Sequence, residues 1–437
     1  MQVVIDKLSD LLTLCPHFAL LRSLCKDIDV YIVGGAVRDA LLGRPITDLD
    51  LISPVDPTFL AKAFARRING HWFWLDEERR QSRVVINTHN ASLYYDFALF
   101  RAPDLQGDLL DRDFTINALA IPLTDDLSSD SLVDPCNGLE DMRQNRLRMV
   151  GPAALSSDPL RILKGLRHAT TLGLQVDVVT RKAMLSASAS LKQVAPERIR
   201  KEFWRILEEP QAARGLQLLN NSGAGEVLFG ATYPDVLSAL LADLKHCRDI
   251  WRQLVHKNVV VSSWLSLEVE QGLRNDTLLL MVFLLRKVSS DLPVALAEKW
   301  SLSRKSKASI SALSGLDEQI VYELSGVAHN ERSYAWWANS CHVEPRLLLL
   351  AVAVVSSRET GDVPALIHAW VPVVNTLKNT RPADLVDGHW LNRELAIKQG
   401  PEMSKALEML RKAEISGEVT SSDNAKEFLS RHYQNKH

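Results

Sequence analysis

The rhythm of apolar and polar positions changes once along the chain. In the first part, short apolar runs rich in β-branched and aromatic residues are separated by turn formers. Val30 to Val33 predicts a strand, Gly34-Gly35 a turn and Ala36 to Leu42 a helix. Leu49 to Ile52, Trp72 to Leu75, Arg83 to Asn87 and Tyr94 to Phe100 predict further strands. After Pro152 the apolar period lengthens to that of a helix. Pro159 to Thr171, Glu197 to Leu207 and Leu278 to Leu285 read as amphipathic helices, with Gly and Pro falling between segments. The expected class is therefore α+β, an α/β head followed by an all-helical remainder. The polar end, Ser421 to His437, is expected to fray.

Composition adds exclusions. At 437 residues, 46% hydrophobic and 24% charged, the chain is ordinary for a globular protein with an ample core. It has no run of about 18 apolar residues, so no membrane span is expected. The start, MQVVIDKLSDLL, lacks the basic and apolar regions of a signal peptide. Five scattered cysteines without CxxC spacing indicate neither a disulfide frame nor a zinc site, and the expected setting is the reducing cytoplasm. The net charge of −2 says little about nucleic acid, but its distribution says more. Residues 141 to 201 carry twelve Lys and Arg against four Asp and Glu. Such a stretch is either a solvated helical face or a surface for RNA phosphates.

The candidate chemistry starts at ITDLDLIS. Residues two apart on a strand share a face, so Asp48 and Asp50 project together while Leu49 and Leu51 enter the core. Carboxylates roughly 7 Å apart along a strand can converge on metal ions about 3.5–4 Å apart, and hard oxygen ligands suit Mg²⁺. An isolated Asp-x-Asp is more often two surface residues on an edge strand. Its context here, Gly34-Gly35 followed by a helix with Arg38 and Asp39, adds backbone that can approach a phosphate closely and a cation beside the carboxylates. Asp96, in LYYDFALF, is a candidate third carboxylate on a neighbouring strand, with a structural hydrogen bond as the alternative.

Taken together, GGAVRDALLGRPITDLDLI, RDFTINALAI and DPLRILKGLR resemble the class II tRNA nucleotidyltransferases (CCA-adding enzymes) and the related bacterial poly(A) polymerases. The motifs cover roughly residues 28 to 205, and GPEMSKALEML near Gly400 is similar to the family's tail. The resemblance implies a nucleotidyltransferase head at 1–125, a neck at 126–210 and a helical body and tail at 211–437. It assigns Gly34, Gly35 and Arg38 to the nucleotide triphosphate and Asp48 and Asp50 to the metal. Arg112, Asp113 and Asn117 would recognise the ribose and triphosphate, where a carboxylate or amide accepts from the 2′-hydroxyl and the arginine pairs with phosphate. Asp158 and Arg161 would read the Watson–Crick edge of cytosine or adenine. Without the resemblance they read as an intrahelical salt bridge. Lys164 and Arg167 would continue that face towards the triphosphate, and Glu197, Arg198 and Glu202 would brace the helices.

Three departures from the family pattern stand out. Asp111 replaces the first of two arginines before the motif Asp, so one phosphate contact is lost or supplied elsewhere. Ser157 replaces a Glu that orients the base-reading arginine, and Lys164 replaces an Arg. Only RAPDLQG separates Phe100 from the Asp-Leu ahead of RDFT, where full CCA-adding members and poly(A) polymerases often carry a longer flexible loop. That shortness resembles CC-adding members, although some full CCA enzymes share it.

The implied reaction is attack of a tRNA 3′-hydroxyl on the α-phosphate of CTP or ATP, with Asp48, Asp50 and Asp96 as catalytic carboxylates, Mg²⁺ as cofactor and pyrophosphate as leaving group. The helical half would grip the tRNA acceptor arm by shape and phosphates. Trp336-Trp337 reads as core or interface, and His246 with Asp249 completes no metal set. A poly(A) polymerase, and more remotely a catalytically inactive RNA-binding relative, are the alternatives.

Overall fold

The computed structural model describes residues 12, 15–46, 48–87, 92–123, 131–257, 259–316, 345–357, 371, 385–415 and 418–433. The chain forms two compact units, Met1–Leu228 and Phe229–His437. The expected head–neck border at 125/126 lies outside the described residues. The first unit runs beyond the expected neck border at 210.

The first unit is built on a six-stranded sheet of β1 (Tyr31–Val33), β2 (Asp48–Ser53), β3 (His71–Asp76), β4 (Gln81–Asn87), β5 (Ser92–Leu99) and β6 (Ala120–Pro122), in the order β3-β4-β5-β2-β1-β6. The β2–β5 pair is parallel and the others are antiparallel. The expected strands are present, with ends moved by one or two residues. Between β1 and β2 the chain forms α1 (Gly35–Leu41), and after β2 it forms α2 (Thr58–Ile68), ended by Asn69 in the left-handed conformation. Strand alternation sends Tyr95 and Phe97 against Phe64 of α2, with ring centroids at 5.0 and 6.1 Å. The opposite face of β2 and β5 keeps Asp48, Asp50 and Asp96.

Helices complete this unit. After β5 the chain turns at once into α3 (Leu105–Leu110), whose first turn is capped by the Asp104 carboxylate accepting from Gly107 N at 2.7 Å. The neck pairs α4 (Leu160–Leu172) with α5 (Pro196–Glu208), where Ile199, Phe203, Trp204, Ile206 and Leu207 are buried. The next helix, α6 (Ala212–Asn221), packs on α4. A Cβ on Gly215 would lie 2.4 Å from Ile206 Cγ2, so only glycine permits this approach. That packing carries the first compact unit past residue 210.

In the second unit, α7 (Tyr233–Lys257), α8 (Asn275–Leu285) and α9 (Pro345–Ser356) form part of a helical core. The Leu278–Leu285 stretch is not amphipathic as expected, since every residue from Thr277 to Leu285 is buried. The remainder is also not wholly helical. The two-strand ribbons β7 (Arg146–Leu147) with β8 (Gln175–Val176), and β9 (Glu268–Glu270) with β10 (Leu273–Arg274), interrupt it. Ser422–Tyr433 forms a helix rather than a frayed end, because Ala425 and Leu429 bury themselves in a cluster with Leu391, Leu410 and Val419. Trp336-Trp337 lies outside the described residues. His246 contacts Ser357 Oγ at 2.8 Å, a structural hydrogen bond. No helix among the described residues is long and apolar enough to cross a membrane.

Candidate active site

The parallel β2–β5 register sets Asp50 opposite Asp96 and Asp48 opposite Tyr94, while the antiparallel β1–β2 register sets Val33 opposite Asp50. The chain leaving β1 therefore turns directly beside the carboxylates. Gly34 makes that turn at φ +72°, and a Cβ there would lie 3.1 Å from Arg112 Nη1 and 3.4 Å from Asp50 Oδ2. A side chain at this point would meet both left-handed strain and a crowded neighbour.

Asp50 is half-buried beside this turn. Burial, then repulsion from Asp96, pushes its carboxyl up to about 6 against the pull of Arg112. Asp48 is the more exposed of the two. Desolvation also raises its pKa, opposed by Arg83 and reinforced by Asp96. Asp96 was expected as a third metal carboxylate, but the Arg83 fork holds both its oxygens, with Nε–Oδ1 at 2.6 Å and Nη2–Oδ2 at 2.7 Å. Asp96 thus makes a structural ion pair and stands opposite Asp50 on the neighbouring strand. Among the described residues no group of three or more His, Cys, Asp or Glu is placed to hold a metal. Two under-compensated carboxylates still fit a small hard cation. Mg²⁺ commonly takes one or two protein carboxylates and completes its shell with substrate phosphates and water.

A second cluster surrounds Asn117, at the 3₁₀ turn Thr115–Asn117. Arg38 is 8% exposed; its Nη1 donates to Asn117 Oδ1 at 2.6 Å, and its other nitrogens hold Asp39. Asn117 Nδ2 donates to Asp113 Oδ1 at 3.0 Å. Arg112 is aimed by Asp108, Nη2 to Oδ1 at 3.0 Å, and the other oxygen of Asp108 accepts from Arg101 N at 2.9 Å. Behind the turn, buried Asp141 accepts from Thr115 Oγ1 at 2.6 Å and from Arg148. Asp108 and Asp141 escaped sequence reading because each acts from outside the motif it fixes. The only trace of Asp108 is its position four residues before Arg112 on the end of a helix.

The neck brings the cations. A Cβ on Gly165 would lie 2.4 Å from Phe114 Cζ, so glycine lets α4 dock on the RDFTIN turn. Asp158 and Arg161 do not pair with each other. Asp158 precedes the helix in extended conformation and its Oδ2 accepts from Arg198 Nη2 at 2.9 Å. Arg161 donates to three backbone carbonyls: Asp111 O at 2.9 Å, Ala154 O at 3.1 Å and Arg112 O at 3.3 Å. These carbonyls do the orienting expected of a Glu at position 157, and Ser157 Oγ merely bonds to Ala154 O. Arg167, expected to face the triphosphate, donates from Nε to Glu202 Oε2 at 2.7 Å and is a brace between α4 and α5.

Most of the motif residues border one cleft of about 990 Å³, near the upper end for small-ligand sites at roughly 1,000 Å³. Gly34, Gly35, Arg38, Asp48, Asp50, Arg112, Asp113, Asn117, Asp158, Arg161, Lys164 and Arg167 all line it. Of the expected site residues only Asp96 does not. Sequence reading missed His168, Arg198 as the partner of Asp158, and Arg205, which also line the cleft.

The chain matches the family described as Poly A polymerase head domain over residues 30–148, and that described as Probable RNA and SrmB-binding site of polymerase A over 173–240. It is 30% identical to a CC-adding tRNA nucleotidyltransferase of Geobacter sulfurreducens over 427 residues, covering 95% of each chain. An A-adding tRNA nucleotidyltransferase of Deinococcus radiodurans is 38% identical over 210 residues, 47% of this chain and 45% of that one. A solved CCA-adding enzyme in complex with CTP shares the fold, with TM-score 0.65 and 21% identity across 99% of each chain. With the motif residues lining one cleft and 30% identity to a tRNA nucleotidyltransferase across 95% of each chain, the chain belongs to the tRNA nucleotidyltransferase and poly(A) polymerase family of nucleotidyltransferases.

Proposed function

We propose that this enzyme adds cytidine to the 3′ end of tRNA, using CTP and releasing pyrophosphate, and stops at CC. The observation that carries the reading is one cleft with an acidic floor, Asp48 and Asp50, facing a cationic wall of Arg38, Arg112, Arg161 and Lys164. A triphosphate fits between them, its oxygens turned to the arginines and its α-phosphate towards the carboxylates. Asp48 and Asp50 would hold Mg²⁺, which when bound neutralises phosphate charge and lowers the pKa of the attacking hydroxyl. Arg112, held by Asp108, keeps its guanidinium beside Gly34, where the backbone admits a phosphate. Asp113 and Asn117 face the ribose. The Asp113 carboxylate, whose Oδ1 is held by Asn117 Nδ2, can accept from a 2′-hydroxyl through its other oxygen, which favours a ribonucleotide. Asp158 and Arg161 present a carboxylate and a guanidinium to the base. The Asp158–Arg198 pair is largely solvated, with Arg198 51% exposed, and such pairs are worth about 0–1 kcal/mol, so Arg198 orients the carboxylate without competing strongly with a base.

The CC limit is supported by α3. The link from β5 to Arg112 is a capped helix pinned through Asp108 rather than a long adjustable loop, and the full-length relative is CC-adding. The test is incubation of the protein with tRNA lacking CCA, tRNA ending in C and tRNA ending in CC, each with one radiolabelled NTP. Two cytidines from CTP and none from ATP are expected. Addition of A to tRNA-CC would make it a full CCA enzyme, long A tracts a poly(A) polymerase, and no incorporation an inactive relative.

A further inference from the structure

His168 is a buried imidazole on α4 that none of the motif residues accounts for. Its Nε2 lies 3.4 Å from Asn117 Nδ2 and 3.5 Å from Arg167 Nη2. Chemistry fixes which way these groups face. A guanidinium only donates, so the Asn117 atom at Arg38 is the carbonyl oxygen. An ionised carboxylate only accepts, so the Asn117 atom at Asp113 is the amide nitrogen. Both neighbours of Nε2 are therefore donors, and Nε2 is the acceptor of a neutral ring whose proton sits on Nδ1. Burial and the surrounding cations Arg167, Arg38, Lys164 and Arg205 hold the ring in that neutral form.

The amide of Asn117 is thus spent on every side: its oxygen on Arg38, one proton on Asp113 and the other towards His168. We infer that His168 is a positioning residue, which ties the nucleotide-reading helix α4 to the Arg38–Asn117–Asp113 cluster and fixes that cluster for the ribose and triphosphate. The inference rests on the reading of the cleft as a CTP site. Phe114, in edge contact with the ring at a centroid distance of 6.4 Å, has no acceptor to replace Nε2. If the acceptor is removed while the ring shape is kept, one amide proton is left without a partner and the side chain is free to turn.

The test compares His168→Phe with His168→Gln, which restores an acceptor, in calorimetric CTP and dCTP titrations and in steady-state cytidine incorporation. His168→Phe is expected to weaken CTP about tenfold and to narrow the CTP-over-dCTP preference by a similar factor, with kcat changed less. His168→Gln is expected to recover most of both. Equal losses in the two variants would make His168 a packing residue, and unchanged CTP affinity in a folded His168→Phe protein would remove the link; either overturns the inference. Wild-type protein that binds CTP but transfers none would remove the proposed reaction and leave the inference standing.

Discussion

The two walls of the cleft differ in how well their charges are satisfied. On the sheet side, Asp48 and Asp50 share one strand face with Asp96, and only Asp96 has a cation of its own. On the neck side nearly every charge is matched: Asp158 with Arg198, Arg167 with Glu202, and Arg161 with three carbonyls. Strands hold the acidic groups where they repel. Helices hold the basic groups where partners already soothe them. The first wall is poised to take a cation, and the second to exchange weak internal contacts for a substrate.

The largest effect is therefore expected on the sheet side. If the two carboxylates hold the metal as proposed, Asp48→Asn or Asp50→Asn should lower cytidine incorporation on the order of 10³-fold or more, since catalysis of that kind is positioning and charge neutralisation. Asp50→Asn should at the same time stabilise the metal-free protein. Its carboxyl is raised from 3.8 to about 6, which corresponds to on the order of 3 kcal/mol as an upper bound. Below pH 4 both folded and unfolded chains are protonated at this site and no penalty exists; above about 6 the folded protein carries it in full. Thermal melts in a chelator should thus show Asp50→Asn ahead of wild type at pH 7.5 and level with it near pH 4. A variant that is both active and no more stable would break the contrast between the walls.

The next effect concerns Asp96. If its work is to engage Arg83, Asp96→Asn and Arg83→Met should cost similar stability, roughly 1–3 kcal/mol each, and the double variant little more. Incorporation should fall by comparable, moderate factors, about 10-fold to 100-fold. A loss in Asp96→Asn as deep as that of Asp50→Asn, with Arg83→Met near wild type, would move Asp96 back among the metal carboxylates. A denaturation cycle with parallel rate measurements separates these outcomes.

The contrast also explains what the sequence could and could not reveal. Strand alternation exposes Asp48 and Asp50 on one face, and a glycine turn beside them needs only local reasoning, so the acidic floor was legible from ITDLDLIS. The partners were not. Arg83 faces Asp96 through antiparallel pairing of β4 with β5, Arg198 reaches Asp158 from another helix, and Asp141 holds Thr115 from 26 positions away. Such pairings follow from tertiary packing, which no periodicity encodes. The all-round burial of α8 differs, because its unbroken run TLLLMVFLL already marks a helix covered on every side rather than one with a single apolar face. The Ser421–His437 end misled for the opposite reason: two buried residues, Ala425 and Leu429, suffice to dock a polar helix.

The smallest effect belongs to the neck. The Asp158–Arg198 pair is exposed enough to contribute about 0–1 kcal/mol, so Arg198→Met should leave the melting temperature nearly unchanged. Asp158 would then lose the contact that fixes its carboxylate at 2.9 Å, while Arg161 stays anchored by the carbonyls. If Asp158 and Arg161 read the base as proposed, discrimination depends on both groups meeting the Watson–Crick edge together. The CTP-over-UTP ratio of kcat/KM should therefore fall by about 3-fold to 10-fold, with the rate for CTP reduced less than the ratio. A variant that kept full selectivity would show that Asp158 takes its position from its own backbone, where Oδ1 accepts from Leu160 N at 3.2 Å. The neck would then be as preset as the sheet, and the two walls would differ in charge alone.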